Sequence, residues 1–260
     1  MKKIIPFLLA VLFLLSACGA PKTAPAKTPA PEQTPQAQIS QQTYPAPSPA
    51  ADTPAPAAPE EPDWLAVYAP VFGSYEKLFA VVDAYRQGSE APVDLTDLDY
   101  DLENNLGLYL ESLAKPGYCL IDLDGNGVPE LLVGLMTDDA FYSRIVASVF
   151  TVENGAPVLV FTSYTRSRYC LSSEGGFIYE GSGGAAYSDY YACSFSGGVM
   201  TRVYGVYSDG DRGFFYCENG DREGAAKTES ITQEQFSEWF DRLDSRIIDP
   251  PELTIMDFIR

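Results

Sequence analysis

The sequence predicts an α+β domain, with helices at both ends and an antiparallel β-meander or sandwich-like sheet between them. Three observations carry this. Apolar residues recur at helical spacing after residue 63 and again after Thr232. Short β-branched and aromatic runs fill the middle. Gly- and Asn-containing turns separate those runs at intervals of about 21 to 23 residues. Residues 63–260 are read as one domain, long enough for a real core.

The first helical stripe is Trp64, Val67, Tyr68, Val71, Phe72, Tyr75, Leu78, Phe79, Val82 and Tyr85. Pro70 suits a first turn, so the helix starts or kinks there, and Gly88 is a stop. A second helix is expected after Thr96, with Asp97, Asp99 and Asp101 near its positive end. Leu98, Leu102, Leu106, Tyr109, Leu110 and Leu113 form its stripe, and Lys115-Pro116-Gly117 ends it. Two strand-like runs follow, Cys119 to Leu123 and Leu131 to Val133, around a short acidic bend. Ser143 to Val152 and Pro157 to Tyr164 flank Glu153-Asn154-Gly155, a hairpin signal. Further turns are expected at Glu174-Gly175-Gly176, Ser196-Gly197-Gly198 and Glu218-Asn219-Gly220. Thr232 and Gln235 form a capping box for a last helix, with Phe236, Trp239, Phe240, Leu243 and Ile247 on its face and Pro250-Pro251 as its stop. Leu253 to Ile259 is an edge strand or a final turn.

The acidic bend is the stretch with recognisable chemistry. Asp122, Asp124 and Asn126 stand at alternate positions, Gly127 permits a sharp turn, Val128 offers its carbonyl, and Glu130 follows. Hard oxygen donors at this spacing suit calcium, which takes six to eight of them. The competing reading is a tight turn whose Asp and Asn side chains cap their own backbone. The bend resembles half an EF-hand loop, but position 12 is the apolar Val133 and the flanks are strands. It is more similar to the strand-loop-strand calcium sites of integrin α-subunit propeller repeats. Asp122, Asp124, Asn126, Gly127 and Glu130 fall on that motif, with Asn for its third Asp and Glu for its last. The resemblance implies a site of the weak extracellular kind, roughly 10⁻⁴ to 10⁻³ M.

The chain opens with Lys2 and Lys3, then an apolar run from Ile4 to Leu15, too short to span a bilayer. It ends in Leu15-Ser16-Ala17-Cys18. This resembles a bacterial lipobox, which implies cleavage after residue 17, a lipidated Cys18 and an extracytoplasmic, membrane-anchored chain. The alternative is an ordinary cleaved signal with a free Cys18. Residues 18–62 carry Pro, Ala, Thr and Gln and almost no large apolar side chains, which suits a disordered spacer. The layout as a whole resembles uncharacterised bacterial cell-surface lipoproteins with a DLDGNGxPEL loop, a group that implies location and metal but no reaction.

Composition excludes several classes. There are 36 acidic against 17 basic residues, a net charge of −19, so nucleic acid is not an expected partner. A monomer is expected. The absence of histidine removes Ser-His-Asp and Cys-His catalysis and most zinc hydrolases. Cys119, Cys170, Cys193 and Cys217 make no C-x-x-C pair and are compatible with disulfides or with buried thiols. The protein is therefore read as a non-enzymatic surface lipoprotein with a structural calcium loop. One rival is a glycan- or peptide-binding module built on Tyr187, Tyr190 and Tyr191 beside the glycine-rich Gly181-Ser182-Gly183-Gly184. The alternating Tyr164, Arg166 and Arg168 form a possible basic spot for an anionic ligand or pair with neighbouring carboxylates. A further rival is a carboxylate-dependent hydrolase.

Overall fold

The computed structural model describes residues 62–89 and 98–256. The expected signal segment 1–17, Cys18, nearly all of the linker, Thr96, Asp97 and the last residues of the tail lie outside the described residues. Among the described residues no helix is long and apolar enough to cross a membrane.

The first stripe folds as α1 (Trp64–Val67) and α2 (Ala69–Arg86), broken at Tyr68 and restarted with Pro70 in the first turn. Pro is tolerated there because the first-turn N–H has no intrahelical partner. Tyr68 is buried, and its hydroxyl reaches the carbonyls of Pro129 and Phe150. The next helix, α3 (Glu103–Ser112), starts later than the stripe suggests. Tyr100 and Asp101 both adopt positive φ, 65° and 53°, so a right-handed helix cannot run through them. Leu98 and Asp99 therefore lie outside it. Its stop also differs: Leu113 turns left-handed at φ 54° and is 71% exposed, while Lys115-Pro116-Gly117 begin a strand.

That strand is β1 (Lys115–Ile121). The others are β2 (Glu130–Met136), β3 (Ile145–Glu153), β4 (Ala156–Thr162), β5 (Ser167–Ser172), β6 (Phe177–Gly184), β7 (Tyr187–Ser196), β8 (Val199–Ser208), β9 (Phe214–Glu218), β10 (Lys227–Ile231), β11 (Ile247–Ile248) and β12 (Thr254–Ile255). They pair antiparallel in one open sheet, in the order β10-β9-β8-β7-β6-β5-β3-β2-β1-β12, with β4 branching from β3 and β11 from β5. The run from β5 to β10 is a meander. Alternation along β2 sends Leu131, Val133 and Leu135 to one face and Leu132 to the other. The first face packs under α2 and α3. The second gathers Cys119 and Ile121 of β1 with Phe215 and Cys217 of β9 into one cluster, although those strands stand near opposite ends of the sheet. Both faces of a single curled sheet are thus apolar.

The Asn154-Gly155 turn joins β3 to β4 at positive φ, 52° and 79°, as the hairpin signal requires. Gly175-Gly176 and Gly197-Gly198 turn β5 into β6 and β7 into β8. Asn219-Gly220 is different: it opens a longer loop before β10 rather than a tight hairpin. The glycine-rich 181–184 segment is the end of β6, not a loop.

Helix α4 (Gln233–Asp244) carries both bonds of its capping box. Thr232 Oγ1 accepts the Gln235 N–H at 3.2 Å, and Gln235 Oε1 accepts the Thr232 N–H at 2.9 Å. Its aromatic face lies on the sheet, with Phe240 against Tyr190 and Trp239 against Tyr216. Thr232→Ala is expected to cost about 1 kcal/mol and to lower the melting temperature by roughly 2–4 °C; a thermal melt checks it. Thr254–Ile255 pair as β12 with β1, so this part of the expected tail is an edge strand.

Candidate metal centre

The acidic bend is the connection between β1 and β2, whose last ladder pair is Ile121 with Glu130. Two strands fixed by seven residue pairs hold its ends. Gly125 and Gly127 adopt positive φ, 75° and 84°, which lets the loop fold back on itself. Asp122 Oδ1 accepts the N–H of Gly125 at 2.8 Å and of Asn126 at 3.1 Å, and its Oδ2 accepts the N–H of Gly127 at 2.9 Å. Asn126 Oδ1 accepts the Val128 N–H at 2.7 Å. The self-capping expected of a tight turn is therefore present.

That capping leaves an electrostatic problem. Carboxylate oxygens of Asp122, Asp124 and Glu130 lie within 4.8 Å of one another. At an effective dielectric near 20, two unit charges at that range repel by about 3 kcal/mol. No ion pair among the described residues reaches any of the three. Glu130 is fully buried at the start of β2. Its Oε2 accepts the Leu123 N–H at 2.9 Å and its Oε1 the Thr151 hydroxyl at 3.1 Å. Burial pushes its carboxyl above the usual carboxylate range, more strongly than these donors pull it down, and the Asp124 charge adds to the rise. The donor set is all oxygen, which suits a hard cation such as calcium.

Two participants carry no signal in the local sequence. Asp124 Oδ2 accepts the Gly197 N–H at 2.5 Å, from the turn between β7 and β8. Thr151, which holds Glu130, comes from β3, and a Cβ on Gly198 would stand 2.9 Å from its methyl. The curl of the sheet brings these segments together. Of the five expected ligands, Asp122, Asp124 and Glu130 converge, while Asn126 and Val128 lie in the same loop, joined by their own hydrogen bond.

The other candidates fare differently. Tyr187, Tyr190 and Tyr191 do not form a platform. Tyr187 is exposed, Tyr190 packs on Phe240, and Tyr191 is buried in the core on the other face. Tyr164, Arg166 and Arg168 do not share a strand, because the chain turns between Tyr164 and Ser167. Arg168 instead faces Glu180 at 3.5 Å and lies over the Phe141 ring. The four described cysteines are free thiols. Burial pushes Cys119 and Cys217 up to about 11 and Cys170 and Cys193 up to about 12, far from the thiolate form that a nucleophile needs. Two of the carboxylates that line clefts are engaged, Asp189 with Arg222 and Asp221 with Arg202, whereas Asp138, Asp249 and Glu252 line another cleft and form no ion pair among the described residues. Asp221 is held below the usual carboxylate range by the Glu223 and Gly224 N–H groups and by Arg202, against its partial burial. A glycosidase general acid needs the opposite shift.

Comparison with known protein families, with characterised proteins and with solved structures finds no match for this chain.

Proposed function

We propose that this protein is a non-enzymatic, extracytoplasmic lipoprotein whose β1–β2 loop holds a structural calcium ion. The observation that carries the metal reading is the convergence of three carboxylates within 4.8 Å, one of them fully buried, with no basic partner among the described residues. Asp122, Asp124 and Glu130 would supply charged oxygens, with Asn126 and the Val128 carbonyl as neutral donors. The ion supplies positive charge there, which relieves the repulsion and fastens the bend. Cys18 would carry the lipid, residues 18–62 would act as a spacer reaching on the order of 130 Å when extended, and the flanking helices would complete the α+β domain.

Calorimetric titration of residues 63–260 tests the metal. A single calcium site in the range of roughly 10⁻⁴ to 10⁻³ M is expected, and it should vanish in Asp124→Ala. A flat wild-type titration rejects the reading. Detergent-phase partition of the full chain tests the anchor: wild type should enter the detergent phase and Cys18→Ala should remain in the aqueous one. Equal partition of the two would remove the lipid from the proposal.

A further inference from the structure

The concave face of the sheet carries a second feature, independent of the acidic bend. The loop after β9 crosses it and is fastened by two adjacent residues of opposite charge. Asp221 pairs with Arg202 of β8, and Arg222 pairs with Asp189 of β7 at 2.9 Å. Arg202 lies over two rings that stack on each other, 4.7 Å from Tyr179 and 4.9 Å from Tyr191. Gly205 makes room for that stack, since a Cβ there would stand 2.4 Å from the Tyr191 ring. Beside this cluster is a cavity of about 440 Å³, lined by Tyr169, Cys193, Met200, Arg202, Asn219 and Asp221 among others. A smaller one of about 290 Å³ continues past Arg202 to Asp189 and Arg222. The larger is within the range of small-ligand sites.

We propose that the larger cavity binds a neutral saccharide unit. Among the described residues its only charged lining groups are Arg202 and Asp221, and these are paired with each other. An anion therefore gains no net attraction there, and the acidic body as a whole repels it. A cation would have to compete with Arg202 for Asp221. A neutral polyol needs neither and can use both. The polar groups are the guanidinium, the carboxylate, the Asn219 carboxamide and the Thr201 hydroxyl; the apolar ones are Met200, Cys193 and the Tyr169 ring. This mixture matches a sugar, which presents hydroxyls at its rim and C–H groups on its face. Asn219 holds its own loop through the backbone, its N–H donating to the Val203 carbonyl at 2.7 Å. Its exposed side chain makes no hydrogen bond among the described residues and is open to a ligand.

The test is a titration of the full chain followed by the amide resonances of Asn219, Gly220 and Gly224. The probes are N-acetylglucosamine, methyl glucoside and maltotriose, with glucuronate, glucosamine and a blocked alanine tripeptide as comparisons. At least one neutral sugar should shift these amides saturably, and the charged sugars and the peptide should bind at least about tenfold more weakly. A monosaccharide response assigns a site for a single unit; a response to maltotriose alone assigns one for a glycan chain. Asn219→Gly keeps the positive φ of 51° accessible and removes the carboxamide. It should weaken binding about fivefold, the value of one neutral hydrogen bond, with an unchanged melt. Absence of a saturable shift with every neutral sugar overturns the proposal. So does equal or tighter binding of a charged probe or of the peptide, or unaltered affinity in Asn219→Gly. The calcium reading is untouched by any of these outcomes.

Discussion

Calcium at a hundred times its dissociation constant should stabilise the domain by about 2.7 kcal/mol, raising its melting temperature by roughly 5–10 °C. Glu130→Gln should erase that response and do something further. Glu130 is fully buried, and its carboxyl is already pushed toward the protonated form by burial and by Asp124. A neutral amide of the same shape removes a buried charge from a site that holds two other carboxylates. Without calcium the variant should therefore melt at or above the wild type, because leaving a charge unpaired in the interior is the costlier state. With calcium it should melt below it. The crossing of the two curves separates a metal ligand from a residue that only fills space. A structural glutamate would lose stability on substitution with or without the ion. A Glu130→Gln melt that falls equally in calcium and in EDTA would refute the metal reading while leaving the fold intact.

The acidic bend was legible because everything that defines it is local. Its Asp, Asn and Gly spacing lies within one stretch, and the apolar runs on either side are dense enough to be strands. Its support was not legible. Thr151 and Gly197 reach Glu130 and Asp124 only because the sheet curls, and curl depends on the summed twist of many strands. The start of α3 is hidden in the sequence for a backbone reason: a tyrosine and an aspartate in left-handed conformations are uncommon choices that hydropathy does not mark. The tyrosine platform is excluded by strand geometry alone. Tyr190 and Tyr191 are neighbours in β7, and neighbours in a strand face opposite sides. The sheet also absorbed the glycine-rich segment, because Gly181 pairs with Asp189 and Ser182 with Ser188 as ordinary ladder residues.

Asn104 and Asn105 show how far hydropathy falls short, and they give a prediction of comparable size. The two are identical and adjacent in α3, yet Asn104 is exposed and Asn105 is fully buried. Asn105 Nδ2 lies 3.1 Å from the Ala147 carbonyl, 2.7 Å from the Ser163 carbonyl and 2.8 Å from Thr162 Oγ1. Its Oδ1 accepts the Tyr75 hydroxyl at 2.9 Å and the Ser148 hydroxyl at 3.0 Å. One carboxamide thus joins α2, α3 and β3 and reaches the end of β4. Asn105→Leu keeps the branching and heavy-atom count of the side chain and improves helix propensity, so backbone preference predicts no loss, while the bulkier isobutyl group adds a packing cost of its own. Most of the loss comes from the partners, since the Ser163 carbonyl and several hydroxyls would lose the carboxamide, while the Ala147 carbonyl keeps the Ser163 N–H at 2.7 Å. At 1–3 kcal/mol for each unsatisfied buried group, with partial rescue among the hydroxyls, the cost should be on the order of 4 kcal/mol. The melting temperature should then fall by roughly 8–16 °C. Asn104→Leu, the same change one residue earlier, should be neutral or slightly stabilising. If the two variants melt alike, the buried network contributes nothing net, and α3 is held to the sheet by its apolar contacts alone.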